Sequence, residues 1–266
     1  MVSSAAVEEN LAQAGELLAE AAADGAQLAV LPENFPLMGM HEQDKVGLRE
    51  AEGKGPIQDF LAHTASQQGL WIVAGTIPLV ADSPHHVRAA SLLYNDQGHQ
   101  HARYDKIHLF NVEINGGERY CESDSLEAGN EIVVTETPFA RIGLSVCYDV
   151  RFPELYRNMH RGGVELITVP SAFTATTGRA HWEVLLRARA VENVSYVIAA
   201  DQGGTHVNGR ETWGHSMIID PWGKILAEID YGAGVACANL DFEQMQELRQ
   251  RFPALSHRRL DYSLEQ

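Results

Sequence analysis

Apolar residues recur at helical spacing in several stretches of the chain. Over residues 7–22 they repeat every three or four positions, with glutamate and glutamine on the opposite face, which predicts an amphipathic helix. Asp24-Gly25 follows, and glycine favours the left-handed cap that ends a helix. Pro56 lies in the first turn of a second predicted helix, residues 55–68. Further helices are predicted from residue 153 onward and at residues 179–193 and 241–251.

Short apolar runs between these helices predict β-strands. The turn signals Asn95-Asp-Gln-Gly98 and Asp220-Pro-Trp-Gly223 join two pairs of them. Residues 111–130 lack periodicity and predict a long loop, and residues 252–266 predict a tail packed on a neighbouring element. The alternation of helices and strands indicates a single α/β domain, residues 1–266, with layered mixed sheets. The strands are predicted at residues 27–31, 70–75, 89–94, 99–104, 142–146, 164–169, 195–200, 214–219, 224–229 and 235–240.

Composition narrows the classes of partner. The 266 residues carry 20 basic and 36 acidic side chains, a formal net charge of −16. Nucleic acids and anionic membranes need basic surfaces, so neither is predicted as a partner. The N-terminal residues lack a signal peptide, no apolar run is long enough to cross a bilayer, and three cysteines without paired spacing fit a reducing compartment. These features predict a soluble, cytoplasmic protein.

Three predicted β elements end in reactive side chains. Glu33 follows Leu31-Pro32, Lys106 follows the second strand of the hairpin, and Cys147 follows the strand at residues 142–146. Sites in α/β folds lie at such strand ends, so a base, a cation and a thiol nucleophile are expected at one rim. Each residue also has a simpler interpretation: Cys147 as a buried structural thiol, Lys106 as a solvated surface lysine, and Glu33 as the start of a loop.

Longer motifs around these residues resemble the nitrilase superfamily of carbon–nitrogen hydrolases. Leu31-Pro-Glu33-Asn-Phe resembles its glutamate motif, Tyr104-Asp-Lys106-Ile-His its lysine motif, and Gly143-Leu-Ser-Val-Cys147-Tyr-Asp its cysteine motif. Tyr120-Cys-Glu122-Ser resembles the segment that supplies a second glutamate. The resemblance covers most of the chain and implies a four-layer α-β-β-α sandwich.

The resemblance also implies the roles of the catalytic residues. Cys147 is expected to carry the acyl group as a thioester, and Glu33 to act as general base and acid. Lys106 and the backbone N–H of Tyr148 are expected to stabilise the oxyanion, with Glu122 orienting Lys106 or Glu33. The ammonium group is further expected to favour the thiolate form of the cysteine. No cofactor is implied.

Local sequence is most similar to the branch of deaminated glutathione amidases, which implies a small-molecule amide substrate that carries carboxylates. ω-Amidases acting on α-ketoglutaramate, and a catalytically silent scaffold protein, are the alternatives. Arg151 has a second interpretation, an ion pair with Asp149 or Glu154, and Phe173 has a second one as a core residue. The candidates for substrate contact are Tyr148, Arg151, Phe173, Thr174, Arg179 and His181.

Other features carry weaker expectations. The pairs His85-His86 and His99-Gln-His101 lack cysteines or carboxylates that would complete a metal site, so no metal is predicted. Cys121 and Cys237 are expected to be packing thiols, and the resemblance implies a homodimer. Members of the superfamily begin with a strand that is largely missing before residue 7 here. We therefore expect two exposed strand edges and hypothesise that the true start lies upstream.

Overall fold

The computed structural model describes residues 1–114 and 118–260, and within them two mixed β-sheets pack face to face. In sheet I, β1 pairs in parallel with β2, and β4 pairs antiparallel with β2, β3 and β5. The predicted hairpin at residues 89–104 is confirmed as β4 and β5. The strands of sheet I are β1 (Leu28–Val30), β2 (Trp71–Val73), β3 (Ile77–Val80), β4 (Val87–Tyr94) and β5 (Gln100–Asp105).

The predicted loop at residues 111–130 is partly wrong. It contains an antiparallel hairpin, β6 (Asn111–Ile114) with β7 (Glu118–Cys121), followed by a 3-10 turn at Glu122–Asp124. Because the hairpin strands are only half-buried, their apolar spacing is weak, which explains why periodicity did not reveal them. Residues 115–117 of that prediction lie outside the described residues.

Sheet II has six strands in the order β13-β12-β11-β10-β9-β8. Its centre is parallel, since β10 pairs in that sense with both β9 and β11. Parallel strands end at a common rim, and the carboxyl ends of these three lead to Cys147, Ser171 and Asp201. The strands are β8 (Val134–Glu136), β9 (Arg141–Leu144), β10 (Leu166–Thr168), β11 (Tyr196–Ala199), β12 (Ser216–Ile219) and β13 (Ile225–Ile229).

Helices cover the outer faces of both sheets, which confirms the four-layer sandwich. Two helices bury their apolar sides on sheet I and two on sheet II. Within the described ranges, no helix has the length and apolar character needed to cross a membrane. The helices are α1 (Val7–Ala23) and α3 (Pro56–Gln68) on sheet I, α4 (Pro153–Met159) and α5 (Ala175–Asn193) on sheet II, and α2 (Asp44–Leu48) and α6 (Phe242–Arg251).

Side-chain alternation along β2 shows how one strand serves two layers. Trp71 and Val73 point into the core between the sheets, whereas Ile72 points towards α1 and α3. Successive side chains of a strand project to opposite faces, so a strand covered on both sides is apolar throughout. This burial explains the continuous apolar run that predicted the strand.

Helix α5 begins four residues earlier than its predicted start at residue 179. The Thr174 hydroxyl caps it by accepting a hydrogen bond from the Thr177 N–H at 3.3 Å. Gly178 lies inside the helix because α5 packs closely on Trp213: a Cβ at this position would lie 2.3 Å from the Trp213 Cβ. Threonines and a glycine have poor helix propensity, which hid the first turn from sequence analysis.

An open groove borders sheet I at its β1 edge. The groove has a volume of about 440 Å³ and is lined by β1, β12 and residues 234–240. The predicted strand at residues 235–240 is wrong: this described segment joins no strand ladder. The expectation of two exposed strand edges stays a prediction; in sheet I, β1 is an edge strand.

Candidate active site

The structure brings Glu33, Lys106 and Glu122 into one buried cluster. The Lys106 Nζ lies 2.7 Å from the Glu33 Oε1 and 2.7 and 2.9 Å from the two carboxylate oxygens of Glu122. Lys106 is 1% exposed and Glu33 is 2% exposed. The interpretation of Lys106 as a surface lysine is therefore wrong, and three of the four predicted catalytic side chains touch one another.

Backbone pairing places two members of this cluster, Lys106 and Glu122. The Lys106 N–H donates to the Ala89 carbonyl, which extends the β4–β5 ladder by one residue beyond Asp105. Glu122 follows β7 directly, and its Oε2 accepts the Phe110 N–H at 2.8 Å. Both side chains thus begin from the ends of hydrogen-bonded strands, which fixes their direction.

Opposite charges hold the cluster in its ionised form. Burial by itself would lower the pKa of Lys106, but the carboxylates of Glu122 and Glu33 raise it well above its usual value. For Glu122, burial acts to raise the pKa, and Lys106 together with Lys45 outweighs it, so that the pKa is lowered. The result is a buried ammonium between two carboxylates.

Cys147 lies on a sharp turn at the end of the sheet II segment that begins with β9. Its φ of 48° is in the left-handed region, which is rare for a non-glycine residue and is typical of a strained nucleophile turn. The Cys147 N–H donates to the Pro170 carbonyl at 2.8 Å, and a 3-10 turn covers Cys147–Arg151. The first N–H groups of such a turn have no acceptor inside it, so the Tyr148 N–H is available beside the sulfur.

Asp149 locks this turn, a role that sequence analysis missed. The carboxylate is completely buried, and its Oδ2 accepts the Val146 N–H at 2.8 Å and the Tyr104 hydroxyl at 2.7 Å. Its Oδ1 accepts the His108 N–H at 3.1 Å and lies 2.7 Å from the His108 Nδ1. Tyr104 and His108 are the first and last residues of the lysine motif, so Asp149 ties the Lys106 segment to the Cys147 segment. The alternative Arg151–Asp149 pair is therefore wrong.

The expectation that Lys106 favours the thiolate form of Cys147 is confirmed for the charge of Lys106 itself, but two other effects outweigh it and favour the neutral thiol. Burial, and then the negative charge of Glu33, raise the pKa of this thiol well above its usual value, and Lys106 offsets only part of that. A thiolate would be a third anion beside one ammonium.

Residues 170–173 connect Glu33 to Cys147 through backbone hydrogen bonds, a contact that sequence analysis did not predict. The Ala172 N–H donates to the Glu33 Oε2 at 3.0 Å, and the Phe173 N–H donates to the Asp201 Oδ1 at 2.8 Å. Together with the Pro170 contact to Cys147, these bonds align the ends of β9, β10 and β11. The sequence signal was the position of this segment after a buried strand.

Three of the predicted substrate-contact residues lie together beside Cys147. The Arg151 guanidinium carbon is 5.8 Å from the Tyr148 ring centre and 5.1 Å from that of Phe173. Its Nη1 lies 3.1 Å from the His181 Nδ1, which adds a fourth predicted residue. The described residues show no Arg151–Glu154 ion pair, so that alternative is wrong. These groups give the acidic protein a local positive site.

Thr174 and Arg179 are placed differently. The Thr174 side chain is the N-terminal cap of α5, so its hydroxyl already has a structural partner. Arg179 is exposed and lies 5.9 Å from the Trp213 ring centre, in a groove along α5. In the described part of the chain, no hydrogen bond or ring contact joins the side chain of either residue to Tyr148 or Arg151.

The other candidate residues have separate environments. Cys121 is half-buried, with its sulfur 3.2 Å from the Asp124 Oδ1, but Cys237 is exposed, so its assignment as a packing thiol is wrong. His101 bonds to the Glu136 carbonyl and His86 to the Ser83 hydroxyl. A different set could hold a metal ion, with ligand atoms within 4.8 Å of one another: His215, Glu228 and Asp230.

Known proteins resemble this chain over most of its length. The sequence model of the carbon-nitrogen hydrolase family matches residues 2–250. The chain is 40% identical over 258 residues to the deaminated glutathione amidase of Yersinia enterocolitica, covering 96% of this chain and 90% of that protein. It is 43% identical over 261 residues to the enzyme of that name from Synechocystis sp. (strain PCC 6803 / GT-S), covering 97% and 95%. The crystal structure of the C. elegans NitFhit protein matches with a TM-score of 0.90 and 37% identity, over 97% of this chain and 63% of that chain.

Proposed function

The chain belongs to the carbon-nitrogen hydrolase family, and on this basis we propose that it is a thiol amidase that cleaves the amide of deaminated glutathione. The observation that carries the proposal is the buried Glu33–Lys106–Glu122 cluster at hydrogen-bond distances, beside a cysteine held on a strained turn. The enzyme acts on carbon–nitrogen bonds, and the names of its full-length relatives support the substrate.

In the first half of the proposed reaction, the Cys147 sulfur attacks the amide carbon while its proton moves to Glu33. The oxyanion that forms is stabilised by Lys106 and the Tyr148 N–H, and one such donor contributes about 3–4 kcal/mol. The carbon–nitrogen bond then breaks as Glu33 returns the proton to the departing nitrogen. The products of this half are a free amine and an acyl-Cys147 thioester.

In the second half, Glu33 takes a proton from water and the hydroxide adds to the thioester carbon. The carbon–sulfur bond breaks, the acid leaves, and the thiolate recovers its proton from Glu33. Because the resting thiol is neutral and Glu33 is paired with Lys106, each half begins and ends with the same charge in the buried cluster. Glu122 keeps the ammonium in place through both halves.

A substrate panel tests this proposal. We expect the purified protein to hydrolyse deaminated glutathione with a higher kcat/KM than α-ketoglutaramate, with release of cysteinylglycine measured by its thiol and amine. Mass spectrometry of acid-quenched protein should detect the acyl group on Cys147, and a Cys147→Ala variant should give neither turnover nor adduct. A higher kcat/KM for α-ketoglutaramate would instead identify an ω-amidase, and the lack of any adduct or product would indicate a silent scaffold.

We also propose that the protein is a homodimer in the cytoplasm. Helix α5 exposes Val184 and Val191, 62% and 48% accessible, along a groove of about 690 Å³, and exposed apolar surface of this kind marks protein interfaces. All three cysteines are free thiols, which agrees with a reducing compartment. Mass photometry should therefore give twice the 29.3 kDa chain mass, and a Val184→Glu variant should lower that mass.

A further inference from the structure

We propose that Arg210 binds a carboxylate of the substrate, so that Arg210 and Arg151 hold two anionic groups on opposite sides of the scissile amide. The inference rests on the amidase activity proposed above and names a subsite within it. Arg210 lies outside the glutamate, lysine and cysteine motifs, and sequence analysis did not select it. Its importance follows from a ring of contacts around the catalytic cluster.

One half of this ring is aromatic and runs from Cys147 to Arg210. Tyr148, which follows the nucleophile, has its ring centre 5.0 Å from that of Phe110. Phe110 is in turn 5.3 Å from Tyr120, and the Arg210 guanidinium carbon lies 5.2 Å from the Tyr120 ring centre. Three aromatic rings thus form a continuous wall that ends at a guanidinium.

The other half of the ring returns from Arg210 to Tyr148. The Arg210 Nη2 donates a hydrogen bond to the Ala172 carbonyl at 2.6 Å. The next residue, Phe173, lies 5.1 Å from the Arg151 guanidinium carbon, which is 5.8 Å from Tyr148. The contacts therefore form a closed ring. Aromatic side chains connect the two arginines along one side of it, and residues 172–173 connect them along the other.

The ring is attached to the catalytic residues at three points. Tyr148 is covalently next to Cys147, the Phe110 N–H donates to Glu122 at 2.8 Å, and the Ala172 N–H donates to Glu33 at 3.0 Å. These links place the ring beside the catalytic cluster, and we expect a substrate that reaches the sulfur to contact these side chains. Any charged group near its amide then meets Arg151, Arg210 or both.

Arg210 has unused hydrogen-bonding capacity. A guanidinium has five N–H donors, and its planar fork suits a carboxylate. The Arg210 Nε is buried and has no hydrogen-bond partner among the described residues. Arg103, by contrast, is already bound through two atoms by Asp105, at 2.9 Å each. Glu42, an acidic neighbour of Arg210, has its carboxylate 2.8 Å from the Lys45 Nζ.

Two separated cations select a substrate with two separated anions. In deaminated glutathione, the scissile amide joins a 2-oxo acid, which ends in a carboxylate, to cysteinylglycine, which ends in another. α-Ketoglutaramate has a carboxylate on the acyl side only. A ring that carries two separate arginines beside the catalytic cluster therefore matches the longer, doubly charged amide.

The test compares Arg210→Gln with the matched control Arg157→Gln. Arg157 likewise donates to a backbone carbonyl, from its Nη1 to that of Glu192 at 2.6 Å, but it lies on α4 in the outer layer. We expect Arg210→Gln to raise the KM for deaminated glutathione about 10- to 100-fold with kcat within about threefold, as loss of a charged hydrogen-bonded pair predicts. Arg210→Lys should recover part of the affinity, and Arg157→Gln should match the wild type.

Two substrate analogues identify the carboxylate that Arg210 binds; each has one of the two carboxylates replaced by a carboxamide. For the analogue that lacks this carboxylate, Arg210→Gln should no longer raise the KM. A fall in kcat on every substrate with KM unchanged would overturn the proposal, because Arg210 would then act only by positioning Ala172 and Glu33. An unchanged KM and kcat would overturn it as well.

Direct binding separates this inference from the proposed function. The Kd of deaminated glutathione for the Cys147→Ala protein, measured calorimetrically, should rise when Arg210→Gln is added. A wild-type protein without turnover on any amide would refute the function and leave this binding test valid. Equal Kd values with and without Arg210→Gln would refute the subsite even if turnover is observed.

Discussion

Replacing Asp149 with asparagine tests whether one buried carboxylate holds the nucleophile turn. Asp149 is completely buried and has four contacts: the Val146 N–H, the Tyr104 hydroxyl, the His108 N–H and the His108 Nδ1. Asparagine keeps the shape but turns one acceptor oxygen into an NH₂ group that can only donate.

The cost follows from where that NH₂ group points. At the Oδ2 position the Tyr104 hydroxyl can rotate to accept, but the Val146 N–H loses its acceptor. At the Oδ1 position the His108 ring can change tautomer, but the His108 N–H loses its acceptor. Either orientation leaves one buried N–H unpaired and weakens the remaining bonds, so we expect a loss of about 2–4 kcal/mol in the free energy of unfolding.

The assay is urea unfolding followed by circular dichroism, with kcat measured on the folded variant. Asp220→Asn is the matched control, because a single oxygen of Asp220 accepts both the Trp222 and Lys224 N–H groups and asparagine can keep both. We expect the control to change stability by less than about 0.5 kcal/mol. An Asp149→Asn variant as stable as the wild type, or a control equally destabilised, would refute the reasoning.

Three further predictions concern the site. In the Cys147→Ala variant, the free energy of unfolding should fall less steeply than in the wild type above about pH 8.5, the ordinary pKa of a thiol. Folding raises the pKa of the Cys147 thiol, so this group stabilises the protein fully below its unfolded pKa. That contribution is lost as the pH rises, by up to about 1.4 kcal/mol per pH unit. Equal slopes in urea titrations of the two proteins between pH 8 and 10 would contradict this. Glu122→Gln should lower kcat at least about tenfold with little change in KM. Lys106 would then have Glu33 as its one charged partner, and this stronger pairing would make Glu33 a weaker base in the proposed reaction. An unchanged kcat in steady-state kinetics would argue against that role of Glu122. Gly75→Ala should destabilise the protein more than Gly25→Ala, although both glycines have positive φ. A Cβ at Gly75 would lie 2.0 Å from the carbonyl oxygen of Pro32, next to Glu33, whereas a Cβ at Gly25 would have nothing within 4 Å. Similar urea unfolding midpoints for the two variants would contradict the clash.

The sequence alone determined the main secondary structure and the chemical types at the site. Helix α1 and the β4–β5 hairpin follow from local periodicity and turn residues, which act over a few positions. Glu33, Lys106 and Cys147 were found because each follows a β element. Their catalytic roles remain proposals. The expected proximity of Glu33 and Lys106 is confirmed, because the Lys106 Nζ lies 2.7 Å from the Glu33 Oε1.

Tertiary structure decided everything that depends on residues far apart in the chain. The Glu33–Ala172 bond joins positions 139 residues apart, and the Asp149–Tyr104 bond joins positions 45 apart. No local pattern encodes such pairs, because they arise only when the two sheets pack together and bring strand ends from different regions to one rim. Two further features also depend on residues far apart in the chain: the neutral state of the Cys147 thiol and the position of Arg210 in the ring. Burial and the summed charge of its neighbours set the protonation state of the thiol. The hydrogen bond between Arg210 and the Ala172 carbonyl sets the position of the guanidinium.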